Sequence, residues 1–196
     1  MSELPRHIEE QATRFLRAGD LSECDRIFCR ALQELPESPY HCALRLKFTN
    51  PPILMANYFD VFITEVAPRF KIEAVYTEMN GFDINTDEWC CSLFAYRAYG
   101  GHADYDWLAH EDAAGTRDLA LRDFVLKGME PLQIAYGSKE GQRAEFTDAR
   151  EIAGLLVVSR FQQLVSRAAA LTQNLRFPLL STAHEYDFIA EVQPKF

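Results

Sequence analysis

Several familiar signatures are missing from this chain. It has no Gly-x-Gly-x-x-Gly, no Gly-x-x-x-x-Gly-Lys-Ser/Thr, no Gly-x-Ser-x-Gly and no His-Glu-x-x-His. That removes the common dinucleotide, phosphate-loop, acyl-transfer and zinc-protease patterns. The five cysteines (Cys24, Cys29, Cys42, Cys90, Cys91) are odd in number and contain no Cys-x-x-Cys spacing, so they read as reduced thiols of a cytoplasmic protein. No apolar run approaches the length of a membrane span, and MSELPRHIEE places charge where a signal peptide needs an apolar centre. Positive charge is sparse and scattered, with 20 Lys and Arg against 29 Asp and Glu and a net charge of −9. Broad binding to a phosphate backbone is therefore not expected. Internal repeats and low-complexity segments are lacking as well.

The 196 residues are 48% hydrophobic and include 14 Phe and 8 Tyr. This predicts one packed core and a single domain over 1–196. Apolar spacing places a helical hairpin over 2–36. Ile8, Ala12, Phe15 and Leu16 form one stripe, Gly19 makes the turn, and Cys24, Ile27, Phe28, Ala31, Leu32 and Leu35 form the second stripe before Pro36 and Pro39. On Ile8, Ala12, Phe15, Gly19-Asp20, Cys24, Phe28, Ala31-Leu32 and Pro36 the stretch 5–37 resembles one tetratricopeptide repeat. The resemblance implies a two-helix packing unit in a single copy and brings no binding function with it.

Leu44, Leu46 and Phe48 alternate with Arg45 and Lys47, which predicts a strand over 42–48. Asn50 and Pro51-Pro52 then open a helix carrying Met55, Phe59, Phe62 and Val66, closed by Pro68. Alternation over 70–84 and a second β-rich run over 88–99 predict an antiparallel hairpin, ended by Gly100-Gly101. A short helix over 102–110 and another over 116–127 follow, and the central core extends over 40–136. GSKEGQR at 137–143 reads as a loop. A long helix over 147–174 packs on that core and is apolar around much of its circumference. The tail at 186–192 supplies an edge strand. The expected fold is α+β: a small antiparallel sheet of three to four strands covered by helices.

Function is expected in the centre. Between Glu73 and Thr116 nine acidic residues face a single base, Arg97, so nearly all the net charge lies there. An acidic patch with interleaved aromatics predicts a non-enzymatic interaction module for a basic protein partner, in the manner of an inhibitor or immunity protein. Asp83, Asp87, Glu88, Asp104, Trp107 and Asp112 are its candidate binding residues. The alternative is a metal-dependent hydrolase. There His102, Asp104, Asp106 and His110 would surround a divalent ion, since imidazole and carboxylate suit zinc, manganese or iron with a position open for water. No established metal motif has this spacing, so no cofactor is the leading expectation. The breadth of the apolar surface on the helix at 147–174 suggests a homodimer formed through it.

Overall fold

In the computed structural model, residues 3–85, 87–103, 105–109 and 114–194 are described. The chain begins with two antiparallel helices, α1 (Glu3–Arg17) and α2 (Leu21–Gln33). Asp20 caps the second, its carboxylate accepting the Glu23 amide at 3.0 Å. Ala12, Cys24, Phe28 and Leu32 are fully buried where the hairpin meets the rest of the protein.

The strand expected over 42–48 is instead a 3₁₀ helix over Pro39–Arg45, followed by extended chain. Its start has a local cause. Pro39 occupies the first helical position, and the Ser38 hydroxyl lies 2.9 Å from His41 Nδ1. Its carbonyls are also satisfied without a neighbouring strand. Arg160 donates to the carbonyls of Ala43 and Leu46, and its Nε donates to Asp25 Oδ1 at 2.8 Å. One guanidinium therefore ties three segments together. Asn50 does not cap the next helix but bridges to a later strand, donating to Val125 O at 2.9 Å and accepting the Lys127 amide at 2.7 Å.

After α3 (Pro52–Val66) come β1 (Ala74–Asn80) and β2 (Cys90–Tyr96), paired antiparallel as expected. Two short strands, β3 (Ala114–Gly115) and β4 (Phe124–Val125), lie along the far edge of β2. The helix expected over 116–127 is only a 3₁₀ turn over Thr116–Leu119, closed by Ala120 in the left-handed region. Next come α4 (Glu130–Gly137) and α5 (Thr147–Ala169). The last strands are β5 (Leu179–Ala183) and β6 (Ala190–Val192). β5 runs parallel to β1 on its other edge, and β6 pairs antiparallel with β5. The fold is broadly α+β, but its sheet has six strands rather than three or four and is mixed rather than antiparallel.

The long helix stops at Ala169 rather than Asn174. Beyond it, Asp60 of α3 accepts the amides of Gln173 and Asn174 at 2.9–3.1 Å, which holds that stretch in a turn. Residues 152–159 of α5 are all buried, and Leu156, Phe161, Leu164 and Val165 are fully so. The helix runs through the centre of the protein, covered by α1, α2, α3 and β5. Its wide apolar circumference is largely covered within the chain. Among the described residues no helix is long and apolar enough to cross a membrane.

One apolar cluster runs from Ala12 to Ala190 and includes Val75, Met79, Cys91, Leu93 and Ala95 from one face of the sheet. A second, smaller cluster lies on the other face, built on Ala74, Tyr96, Trp107 and Leu180. The alternation expected over this stretch is present in β1. Val75, Thr77 and Met79 meet the helices, and Ala74, Tyr76, Glu78 and Asn80 point the other way.

Candidate functional site

The face of the sheet turned away from the helices is only partly covered. Its near end is closed by the second apolar cluster, and the Gly-Gly turn makes that closure possible. A side chain on Gly100 would lie 2.4 Å from the indole of Trp107, and Gly101 adopts φ +85°. Trp107 is thereby seated edge-on to Tyr96 and Tyr99, with ring centroids at 5.2 and 5.5 Å, and its indole N–H donates to Gly101 O at 3.0 Å.

Past this lid the face opens into two adjoining depressions that share Glu78 and Phe94. Pairing explains the arrangement. Tyr76 is opposite Phe94 and Glu78 opposite Ser92 on β2, and β5 places Leu180 and Thr182 alongside. Tyr76 and Phe94 pack with centroids 5.9 Å apart and planes 31° apart. The Tyr76 hydroxyl donates to Glu78 Oε2 at 3.1 Å, and His184 Nδ1 meets Glu78 Oε1. His184 is held in turn by its own amide, which donates to Met79 O at 2.9 Å. Glu78 is thus an oriented carboxylate in the floor, 24% exposed.

The first depression, of about 500 Å3, is bounded by Asn80, Ser92, Thr116, Arg117, Asp118 and His184 as well as Glu78. Its hydroxyls are committed to Asp123. Ser92 donates to Asp123 Oδ1 at 2.8 Å and Thr116 at 3.1 Å. The second depression, of about 620 Å3, carries the carboxylates of Glu78, Asp106, Glu185 and Asp187. Five rings share that lining: Tyr76, Phe94, Tyr96, Tyr105 and Tyr186. Among the described residues, no Lys or Arg lines it.

Negative charge here is felt by its neighbours. Burial, reinforced by Asp187 and Glu10, holds the carboxyl of Glu9 above the usual carboxylate range. Burial and then Glu78 push the phenol of Tyr96 up to about 12 and raise that of Tyr76 further. These tyrosines stay protonated hydrogen-bond donors at neutral pH.

The residues expected from the sequence fall in several places. Asp83 pairs with Arg150 of α5, Glu88 lies 3.7 Å from Lys127, and Glu73 pairs with Lys71. Asp87 is exposed. Trp107 is 8% exposed and packs as a core residue of the lid, leaving little ring for a partner. Asp104 and Asp112 lie outside the described residues. Of the expected metal set, His102 and Asp106 are exposed, whereas Asp104 and His110 lie outside the described residues. Among the described residues no group of three His, Cys, Asp or Glu side chains is placed to hold a metal ion. A thiolate nucleophile finds no support either. Burial pushes Cys29 up to about 11 and Cys24 up to about 12, and the other three thiols also rise.

Sequence reasoning missed Glu185 and Asp187. Their one signal was the acidic-aromatic run His184-Glu185-Tyr186-Asp187-Phe188, and its proximity to β1 depends on a parallel pairing that the sequence does not announce. No protein-family model, curated protein or solved structure matches the chain.

Proposed function

We propose that this protein is an interaction module whose open sheet face binds a basic segment of a partner protein. One observation carries the reading: a depression with four carboxylates and five aromatic rings, and no Lys or Arg among its described lining residues. Carboxylates attract a cationic side chain, and ring faces hold it by cation–π attraction. The candidate surface is thus moved from the acidic window as a whole to the sheet face. Several charges of that window are already paired, so they contribute less to the attraction than their number suggests.

The test is titration with a labelled peptide rich in Lys and Arg, against an acidic peptide of the same length. Binding is expected for the basic peptide alone, with Kd rising about tenfold or more as salt passes ~0.15 M. Joint reversal by Glu185→Lys and Asp187→Lys, both at exposed positions, is expected to abolish binding and leave the melting temperature nearly unchanged. Absence of binding across a panel of basic peptides removes the proposal, as does binding indifferent to the reversal.

A further inference from the structure

The basic-segment reading leaves open which cation the face selects, and the first depression carries an answer. Asn80 lies two residues beyond Glu78 on the same face of β1 and lines the same space. Its side-chain oxygen is buried and accepts no hydrogen bond within the protein. A buried amide oxygen without a donor costs free energy. Gln162 Oε1 of α5 is in the same state, but Asn80, unlike Gln162, lines an open depression together with an oriented carboxylate. Glu78 has capacity left as well. An ionised carboxylate offers about four acceptor sites, and His184 and Tyr76 use two of them.

Resting on the basic-segment reading, we propose that this pocket is the anchor for one arginine side chain of the partner, with Glu78 and Asn80 as its acceptors. Same-face residues two apart on a strand are separated by about 7 Å. A guanidinium carries five N–H donors in a rigid plane, enough to engage the carboxylate through two and the amide oxygen through another. An ammonium concentrates its three donors on one nitrogen and serves one acceptor site well. Phe94, packed beside Tyr76, lines this pocket and offers it an aromatic ring suited to a flat cation. At the rim Asp118 adds a second negative charge, and Arg117 is the one guanidinium already lining the pocket. Both rim residues are exposed to solvent, where charge is screened, while Glu78 is largely shielded from it.

The experiment compares two peptides identical except for a central Arg or Lys, titrated into wild type, Asn80→Ala and Glu78→Gln. Wild type is expected to prefer arginine by about tenfold. Asn80→Ala removes an oxygen with no internal partner, so it keeps the fold, leaves lysine binding in place and collapses the preference towards one. Glu78→Gln weakens both peptides. If neither peptide binds wild type, the basic-segment reading fails and the arginine anchor with it. If both bind wild type equally, or if Asn80→Ala leaves the preference intact, the arginine anchor alone is overturned. The wild-type ratio decides the matter even if a variant does not fold.

Discussion

Neighbouring residues of β1 live in different surroundings. Val75, Thr77 and Met79 face the helices and are at most 1% exposed. Tyr76, Glu78 and Asn80, interleaved with them, face a groove and remain partly open to solvent. The helix-facing side makes its contacts within the chain, and its polar groups are few. The other side carries a carboxylate with acceptor capacity to spare, an amide oxygen with no donor, and a cluster of like charge. The contrast teaches how one strand divides labour: the covered side supplies stability, and the open side carries the groups that the proposed partner would engage.

Three substitutions sharpen or break this contrast. Leu164→Glu has the largest expected effect, since it places a charge at a fully buried position of α5. A loss above about 4 kcal/mol is expected, close to the whole stability of an ordinary domain. It should read as loss of cooperative urea unfolding and of native near-ultraviolet dichroism. A folded, cooperative variant would mean that α5 is not the centre of the molecule.

Arg160→Met comes next. It strands the Asp25 carboxylate and frees the carbonyls of Ala43 and Leu46. A cost of about 2–3 kcal/mol is expected, the lower end for a buried pair because both partners keep some exposure. Adding Asp25→Asn should recover part of it, and urea midpoints of the single and double variants measure the coupling.

The smallest effect belongs to Glu9 of α1, whose carboxyl is partly buried near Asp187. The carboxyl of Glu9 holds its proton to higher pH in the folded protein than in the unfolded chain. Its contribution to stability is therefore full below the ordinary carboxylate range and is lost as pH rises through the raised pKa. Glu9→Gln should be slightly more stable than wild type at neutral pH, and the advantage should vanish on acidification. Melting temperatures across pH 3–8 test this, and an advantage that grows in acid would contradict it.

The two helices of the N-terminal hairpin, α3 and α5 were legible because their apolar spacing is local, whereas the helix expected over 116–127 was not found. Met55, Phe59, Phe62 and Val66 define α3 whatever it packs against. Strands depend on partners, and there the sequence misled in two opposite ways. Leu44, Leu46 and Phe48 alternate convincingly, yet a 3₁₀ helix starts at Pro39 and a guanidinium from α5 takes the carbonyls of Ala43 and Leu46, which a strand would have paired. Leu179 to Ala183 does not alternate, because all five residues are buried, and so the strand beside β1 went unread. The site suffered from the same dependence. Counting charge along the chain found Asp83 and Glu88, whose bases come from distant segments, and overlooked Glu185 and Asp187, which only β5 brings to Glu78. Trp107 looked like an anchor because nothing local reveals that Gly100 makes room for it.

The parallel pairing of β1 with β5 joins Val75 to Leu179 and Met79 to Ala183, so the middle of the sheet is stitched across more than half of the chain. Loop closure over such a distance is slow, and contacts of this kind are made late. As the chain leaves the ribosome, the helices and the β1–β2 hairpin emerge first, with the second edge of β1 unprotected until the last strands are synthesised. An uncovered edge is a template for another chain. Until β5 pairs with β1 the chain has neither the complete pocket around Glu78, which His184 helps to line, nor a guarded sheet.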